Sequence, residues 1–254
     1  MRHIATFSGG VTSAYVCDMV LRDHPEAEIV FTDTRWEDED LYRFLTDCEQ
    51  RWKKPVTILS HGQNPEELFN SQGILGNDRM PVCSRILKAK QMQDFLKSSL
   101  DAVTVYFGID ASEAHRAEKI VRAYSELPHV KCAFPLVDAG WMLDKDKIIS
   151  EIETAWGIQI PRLYKMGFDH NNCGGGCVRG KKGHWLKLLR VLPDVYADRE
   201  RMEREFRKNT DGLKYTILEG KSLKQLRAQA ESQPGLFDVK YDGTVCICFE
   251  VDEI

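Results

Sequence analysis

Ile4-Ala5-Thr6-Phe7-Ser8-Gly9-Gly10-Val11-Thr12-Ser13-Ala14-Tyr15-Val16 is the stretch on which the reading of the fold turns. A short apolar run ends in a hydroxyl, two glycines and two more hydroxyls, and a helix-compatible pattern follows at once. Glycines let a backbone turn tightly and come close to a ligand. A helix starting just after them offers unpaired N–H groups to an anion. With the Ser8, Thr12 and Ser13 hydroxyls as further donors, phosphate is the natural guest. The same stretch also suits a polar strand-to-helix turn with Ser/Thr capping, because short glycine-rich motifs match often by chance.

The sequence after this loop repeats its rhythm. Ile4 to Phe7 reads as a strand and residues 12–23 as a helix, ending near Asp23-His24-Pro25. Glu28 to Thr32 is a β-branched and aromatic run that ends at Asp33-Thr34. The acidic stretch Glu37-Asp38-Glu39-Asp40 leads a helix through Leu41, Phe44, Leu45 and Cys48, apolar at helical spacing. Val56 to Leu59 forms a third strand. Alternation of this kind predicts an α/β fold with a doubly wound, mostly parallel, Rossmann-like sheet. Ligands of such sheets sit at the carboxyl ends of the strands. Ser8 to Ser13, Asp33-Thr34 and Ser60-His61 all fall there.

Residues 62–82 read as a loop with one short helix near Pro65 to Phe69. Cys83-Ser84-Arg85-Ile86-Leu87-Lys88 opens a helix to about Leu96, and Ala102 to Phe107 is a fourth strand ending at Gly108-Ile109-Asp110. Glu113, His115 and Arg116 begin the next helix. Ala133 to Leu136 is expected as a fifth strand and Asp144 to Trp156 as a helix. From Pro161 the character changes: residues 165–177 lack periodicity and are dense in glycine and potential ligands. Helices follow from His184 to Leu192, from Asp194 to Asn209 and from Ser222 to Gln233. The Asp194 helix alternates charge signs and is expected to be exposed. The division expected is a nucleotide-binding core over 1–160 and a helical, cysteine-containing C-terminal region over 161–254.

Composition narrows the class. The 43% hydrophobic and 29% charged residues, with no low-complexity tract, fit a soluble globular protein. No apolar run approaches the roughly 20 residues that span a bilayer, so a cytoplasmic protein without membrane partners is expected. A net charge of −4 argues against general attraction to nucleic acid. Eight cysteines in such a setting point to thiols or metal ligands rather than disulfides. Cys17, Cys48 and Cys132 sit in apolar contexts that suit core packing.

Several blocks occur in order along residues 4–206. They are Ser8-Gly9-Gly10-Val11-Thr12-Ser13, Asp33-Thr34, Pro81-Val82-Cys83-Ser84-Arg85-Ile86-Leu87-Lys88, Gly108-Ile109-Asp110 with Glu113 and Arg116, and His170-Asn171-Asn172-Cys173 through Lys182 and His184-Trp185. In these the chain resembles the adenine nucleotide α-hydrolase (PP-loop) superfamily, in its phosphoadenosine-phosphosulfate-reductase-like branch. Two positions depart from that pattern. Thr12 stands where the family usually has aspartate, and three glycines separate Cys173 from Cys177 where many relatives have two residues.

The resemblance implies an adenine nucleotide such as ATP, held by Ser8, Gly9, Gly10, Thr12 and Ser13, with Mg²⁺ to offset phosphate charge. Asp33 and Thr34 would meet the nucleotide or the metal, although an aspartate there also suits a helix N-cap. Arg85, Lys88 and Arg116 would bind phosphates or a charged substrate. Glu113 and Arg116, three apart, also suit a pair of their own. Cys83, Cys173 and Cys177 form the candidate metal or catalytic set. Soft thiolates suit a [4Fe-4S] cluster or Zn²⁺, the latter with Cys246 and Cys248 added, and equally a metal-free thiol chemistry. His170 and His184 bracket this loop and suit loop hydrogen bonding. Arg179, Lys181, Lys182, Lys187 and Arg190 around Trp185 suit a phosphate-bearing or nucleic-acid substrate, or a solvated face beside a core tryptophan.

Three functions follow from these residues. The first is ATP-dependent adenylation of an acceptor, small molecule or nucleic acid, with pyrophosphate release and sulfur-related chemistry at the cysteines. The second is reduction of an adenylylated sulfate, with a thiol or sulfur donor protein as partner. The third is a non-catalytic nucleotide-sensing or nucleic-acid-binding protein. A homodimer is compatible with all three.

Overall fold

The computed structural model describes residues 1–138, 144–210 and 215–238. Five parallel strands form one sheet: β1 (Arg2–Phe7), β2 (Glu28–Asp33), β3 (Val56–Ser60), β4 (Val103–Tyr106) and β5 (Val130–Ala133). Their order is β3-β2-β1-β4-β5, so the winding reverses between β1 and β4. Registers such as Phe7 with Phe31 and Ile4 with Val105 keep the carboxyl ends on one side. In such a sheet the crevice for a ligand lies where the winding reverses. The α/β doubly wound architecture read from the sequence is the one observed.

Side-chain alternation explains why both faces are covered. Ala5, Phe7, Ile29 and Phe31 pack to one face with α1 (Val11–Asp23), α2 (Glu39–Trp52) and Ile148 and Ile152 of a later helix. Ile4, Val30, Val103 and Val105 pack to the other face with Met92, Leu96, Ile120 and Tyr124. β3 is an edge strand, and its Ile58 is 53% exposed.

The remaining helices are α3 (Pro65–Gln72), α4 (Lys90–Lys97), α5 (Ala117–Ala123), α6 (Pro135–Asp138), α7 (Lys145–Thr154), α8 (Arg162–Lys165), α9 (Lys182–Val191), α10 (Pro193–Asn209) and α11 (Leu223–Ser232). Ser84–Ala89, just before α4, winds as a π-helix, a form that concentrates near functional sites. A further hydrophobic cluster joins Leu68, Phe69, Val82 and Leu87 to Trp185, Leu188, Tyr196 and Phe206, so the C-terminal helices share a core with residues 68–87. No helix among the described residues is long and apolar enough to cross a membrane.

Two sequence expectations are corrected. The fifth strand is Val130–Ala133, not 133–136, because Pro135 opens a helical turn and Asp138 accepts a hydrogen bond from the Phe134 N–H at 3.1 Å. Helix α10 is not a solvated charged face, for Arg199, Glu200 and Glu203 are buried in it. The Glu203 carboxylate accepts from the N–H groups of Ile217 at 2.8 Å and Leu223 at 2.7 Å, and Glu200 takes a two-pronged contact from Arg227. Charge alternation misled because these charges are satisfied inside. Cys246 and Cys248 lie outside the described residues.

Burial gives the core a pH dependence. It pushes the thiols of Cys17 and Cys48 upward and that of Cys83 up to about 12. An unfolded cysteine titrates near pH ~8.5, so above that pH the unfolded chain sheds protons that the folded chain keeps. Stability is therefore complete below pH ~8.5 and falls as pH rises, by about 1.4 kcal/mol per pH unit for each such thiol. Urea midpoints measured from pH 7 to 10 should fall from the ninth pH unit onward. A flat midpoint to pH 10 would contradict these buried thiols.

Candidate functional site

The loop between β1 and α1 folds back on itself. Gly9 takes φ +77°, which an L side chain rarely adopts, and its position is closed over by Leu41. The Ser13 hydroxyl donates to the Gly10 carbonyl at 2.9 Å and accepts from the Ser8 N–H at 3.0 Å. The Ser8 hydroxyl lies 3.0 Å from the Ser13 hydroxyl. Ser13 thus spends its proton on the loop, and its role is to hold the turn shut. Gly10 is the N-cap of α1, no side chain caps that helix, and its first turn carries no acid. Beyond Val11, the N–H groups of Thr12 and Ser13 stay open at the positive end of the helix dipole, a built-in anion site.

A cleft opens above this turn, between the ends of β1 and β4. Thr6, Ser8, Gly10, Thr12 and Ser13 form one wall, and Phe107, Gly108, Ile109, Glu113, Arg116 and Ile120 form another. Lys145, Tyr164, His170, Asn171 and Asn172 close it. Gly108 is required for the fit, because a Cβ there would meet the Ser13 Cα at 2.4 Å. The Thr12 hydroxyl makes no hydrogen bond among the described residues and is free to meet a ligand. Arg116 is buried and pairs with Glu113 at 2.6 Å, and both line the cleft.

Lys145 and Tyr164 carried no signal in the sequence. The Lys145 ammonium donates to the Asp169 carbonyl at 2.6 Å and lies 5.6 Å from the Tyr164 ring centre. The Tyr164 hydroxyl accepts from the Val11 N–H at 3.4 Å, which places it at the head of α1. Two contacts set its helix. Arg162 grips the buried Asp38 with Nε and Nη2, both at 2.9 Å, and the Arg162 N–H donates to Asp40 at 2.7 Å. Asn171 is buried and donates to the Gly9 carbonyl at 3.2 Å, while its Oδ1 has no partner. Turning the amide around would set two oxygens against each other, so the orphan in the cleft wall is an acceptor. A hydroxyl or amine of a ligand would satisfy it.

The cysteines form a second grouping that adjoins the first. Asn172 continues into Cys173, and Cys173, Gly174 and Gly175 take φ of +52°, +59° and +80°. This is one left-handed turn, closed by the Gly176 N–H on the Cys173 carbonyl at 2.9 Å. The glycines adopt it freely, whereas Cys173 carries a strain of about 1–2 kcal/mol. The turn brings Cys173 into a hydrogen bond with Cys177, which together with burial raises the Cys173 thiol well above its usual range. Cys83 is buried, and the nearby Cys173 adds to burial in raising its thiol. Arg199 stacks 3.4 Å from the Trp36 ring centre and donates to the Cys173 and Gly176 carbonyls, both at 3.4 Å.

Behind the turn lies a buried ion pair. Lys88 and Glu37 approach to 3.1 Å with side chains 6% and 1% exposed. Glu37 also accepts from the Thr34 hydroxyl at 2.9 Å and the Cys173 N–H at 2.8 Å. Lys88 and Thr34 are thus brought to the cysteine turn rather than to the cleft. Asp33 accepts from the Arg35 N–H at 2.7 Å and the Tyr42 hydroxyl at 2.9 Å, outside the cleft lining, while Asp38 caps α2. Arg85 is half-buried and lies outside the cleft lining, and its side chain makes no hydrogen bond or ion pair among the described residues.

His184 does bond the loop, with Nε2 at 2.7 Å from the Gly175 carbonyl. His170 lines the cleft. The basic cluster around Trp185 is not a stacking platform. Trp185 is fully buried, Lys187 bonds the Gly167 carbonyl and Arg179 approaches Asp78 to 3.4 Å.

Among the described residues the cysteine set is incomplete for a resident metal. No three of these sulfurs and neighbouring carboxylates lie within 4.8 Å of one another among the described residues. Cys173 and Cys177 are free thiols joined by a hydrogen bond. Of the described cleft-lining residues, Glu113 is the one carboxylate, and Arg116 occupies it.

The anion loop has a direct test. Gly10→Asp sets a Cβ 2.9 Å from the Tyr164 hydroxyl and a negative charge where phosphate enters. Like charges so placed cost several kcal/mol, so nucleotide affinity should fall by about 100-fold or more. Calorimetric titration with ATP and with adenylyl sulfate measures this; unchanged affinity would remove the loop from the site.

A family model described as the phosphoadenosine phosphosulfate reductase domain matches residues 2–173. The chain is similar to a crystal structure of phosphoadenylyl-sulfate (PAPS) reductase from Candida auris in a phosphate complex. That similarity has TM-score 0.51 at 18% identity, covers 68% of this chain and 81% of that one, and shows the shared fold. A segment of 69 residues is 36% identical to the uncharacterized nin region protein ORF290 of Escherichia phage lambda. It spans 26% of this chain and 24% of that protein. With a matched domain that runs from β1 through the cleft to Cys173, the chain belongs to the phosphoadenosine phosphosulfate reductase domain family.

Proposed function

We propose that the protein reduces an adenylylated sulfate, with Cys173 and Cys177 as the thiol pair. The observation that carries this reading is the continuity of the cleft wall with the thiols: Asn171 and Asn172 line the anion cleft and the next residue is Cys173. The phosphate end of the nucleotide sits on the open head of α1, with Thr12, Arg116 and Lys145 around it. The Asn171 acceptor takes a nucleoside hydroxyl or amine.

Cys173 keeps its proton and donates it to the Cys177 sulfur, which leaves Cys177, the less buried of the two, as the attacking thiol. Cys177 gives up its proton to solvent as its sulfur attacks the sulfate sulfur, the S–O bond to the phosphate breaks, and the electron pair leaves on the nucleotide phosphate. Cys173 then loses its proton and attacks the Cys177 sulfur. Sulfite departs with the pair of the S–S bond, and a Cys173–Cys177 disulfide remains. The sulfate gains two electrons, the two thiols lose them, and an external dithiol donor restores the pair. Arg116 and Lys145 serve by offsetting charge on the departing phosphate.

A second reading, adenylation of an acceptor with pyrophosphate release, is favoured by the cradle itself, whose N–H groups and free Thr12 hydroxyl suit a polyphosphate. One experiment separates the two. The protein is incubated with adenylyl sulfate or phosphoadenylyl sulfate plus a dithiol and assayed for sulfite, and in parallel with ATP and assayed for pyrophosphate. Sulfite is expected. Pyrophosphate without sulfite would transfer the assignment to adenylation, and binding with neither product would reject both.

A further inference from the structure

We propose that His3, His24 and Glu26 form a binding site for a divalent transition metal, of the zinc class, at the end of the sheet opposite the cleft. His3 lies near the start of β1, His24 is the C-cap residue of α1, and Glu26 sits in the turn that leads to β2. One ligand atom from each of the three lies within 4.8 Å of the other two. The two imidazoles stack with centroids 3.6 Å apart and planes 14° from parallel. His24 Nδ1 is 3.7 Å from the Glu26 carboxylate.

His3 Nδ1 is occupied by the Tyr106 hydroxyl of β4 at 2.8 Å, which leaves Nε2 for a metal and fixes the ring. Metal-bound histidines are held in this way, with the second ring nitrogen bonded to a neighbour. Two imidazoles and a carboxylate suit zinc with a fourth position open. Bonds of about 2.1 Å set neighbouring ligand atoms roughly 3.4 Å apart in a tetrahedral site. Rotation of the His24 ring about χ2, a soft torsion in histidine, turns its edge toward His3 Nε2 and closes the remaining distance. Both rings are half-buried and Glu26 is exposed, so an ion can enter. The bound ion would tie the end of α1 to β1. The helix that presents the anion loop at its head would thus be anchored at its foot, about 20 Å away.

The test uses the full chain freed of any affinity tag, reduced and anaerobic, titrated with Co²⁺ and read by absorption. Sulfur ligands add intense charge-transfer bands, whereas imidazole and carboxylate ligands give ligand-field bands alone. The expected result is one equivalent of cobalt without sulfur bands. His24→Ala should abolish it, and Glu26→Gln and Tyr106→Phe should each weaken it about tenfold or more. Glu26→Gln alters an exposed side chain and keeps the test valid if His24→Ala unfolds. Cobalt bound only through sulfur, or an imidazole-type equivalent unchanged in His24→Ala and Glu26→Gln, would overturn the proposal.

Discussion

Glu37→Gln is expected to lower the unfolding free energy by about 3–5 kcal/mol, the cost of removing one partner from a buried ion pair. The substitution preserves shape and changes only charge and donors, so the loss measures electrostatics rather than packing. Lys88, with 6% of its side chain exposed, loses its carboxylate. The new amide must also point its N–H₂ at a donor, because the carboxylate now accepts from Thr34, Lys88 and the Cys173 N–H. A surface pair at the same distance would be worth at most about 1 kcal/mol, so the size of the effect separates the two cases. Urea unfolding gives the number. A change below about 0.5 kcal/mol would show that the pair does not contribute as a buried one. A local readout should move with it. The Cys173 turn loses one of the hydrogen bonds that holds its strained backbone, so alkylation of Cys173 and Cys177 should quicken in the folded variant.

The same ion pair shows what was legible in the sequence. The sheet was readable because each strand is short, β-branched and followed by a turn, and because parallel strands buried on both faces leave continuous apolar runs. The anion loop was readable because glycine spacing and helix onset are local features. In the sequence Lys88 stands out as a charged residue near Cys83, whereas its partner Glu37 is one of a run of acids. Pairing across 51 positions is set by tertiary packing and leaves no periodic trace. Tyr164 and Lys145 escaped for the same reason: each reaches the cleft from a helix far along the chain. Charge alternation in α10 pointed outward, and the inner charges are satisfied by backbone N–H groups and by Arg227, which a sequence pattern does not display. Between the cysteines, Gly174 and Gly175 adopt at no steric cost the left-handed φ of the turn that joins the two thiols.

That turn yields the sharpest functional contrast, between Cys177→Ser and Cys173→Ser. Under the proposed reduction, Cys177→Ser removes the attacking thiol, and sulfite formation should fall by about 10⁴-fold or more, the scale seen when a nucleophile is deleted. Cys173→Ser leaves the first attack intact and blocks the second. A single turnover should then leave Cys177 carrying an added SO₃ group, visible as one such mass increment on the intact protein, while an equal amount of nucleotide phosphate is released. Added dithiol would clear that adduct slowly from outside, so the variant keeps a residual rate that Cys177→Ser lacks. Neither substitution touches the open head of α1, and calorimetric affinity for the nucleotide should stay within a few-fold of the parent in both. Steady turnover at the parent rate in Cys173→Ser would remove the second step from the scheme. An SO₃ adduct on Cys173 in the Cys177→Ser variant would exchange the two roles. Full activity in both variants would separate the thiols from the reaction while leaving the nucleotide cleft untouched, because the loop from Ser8 to Ser13 and the turn from Cys173 to Cys177 are held by different hydrogen bonds.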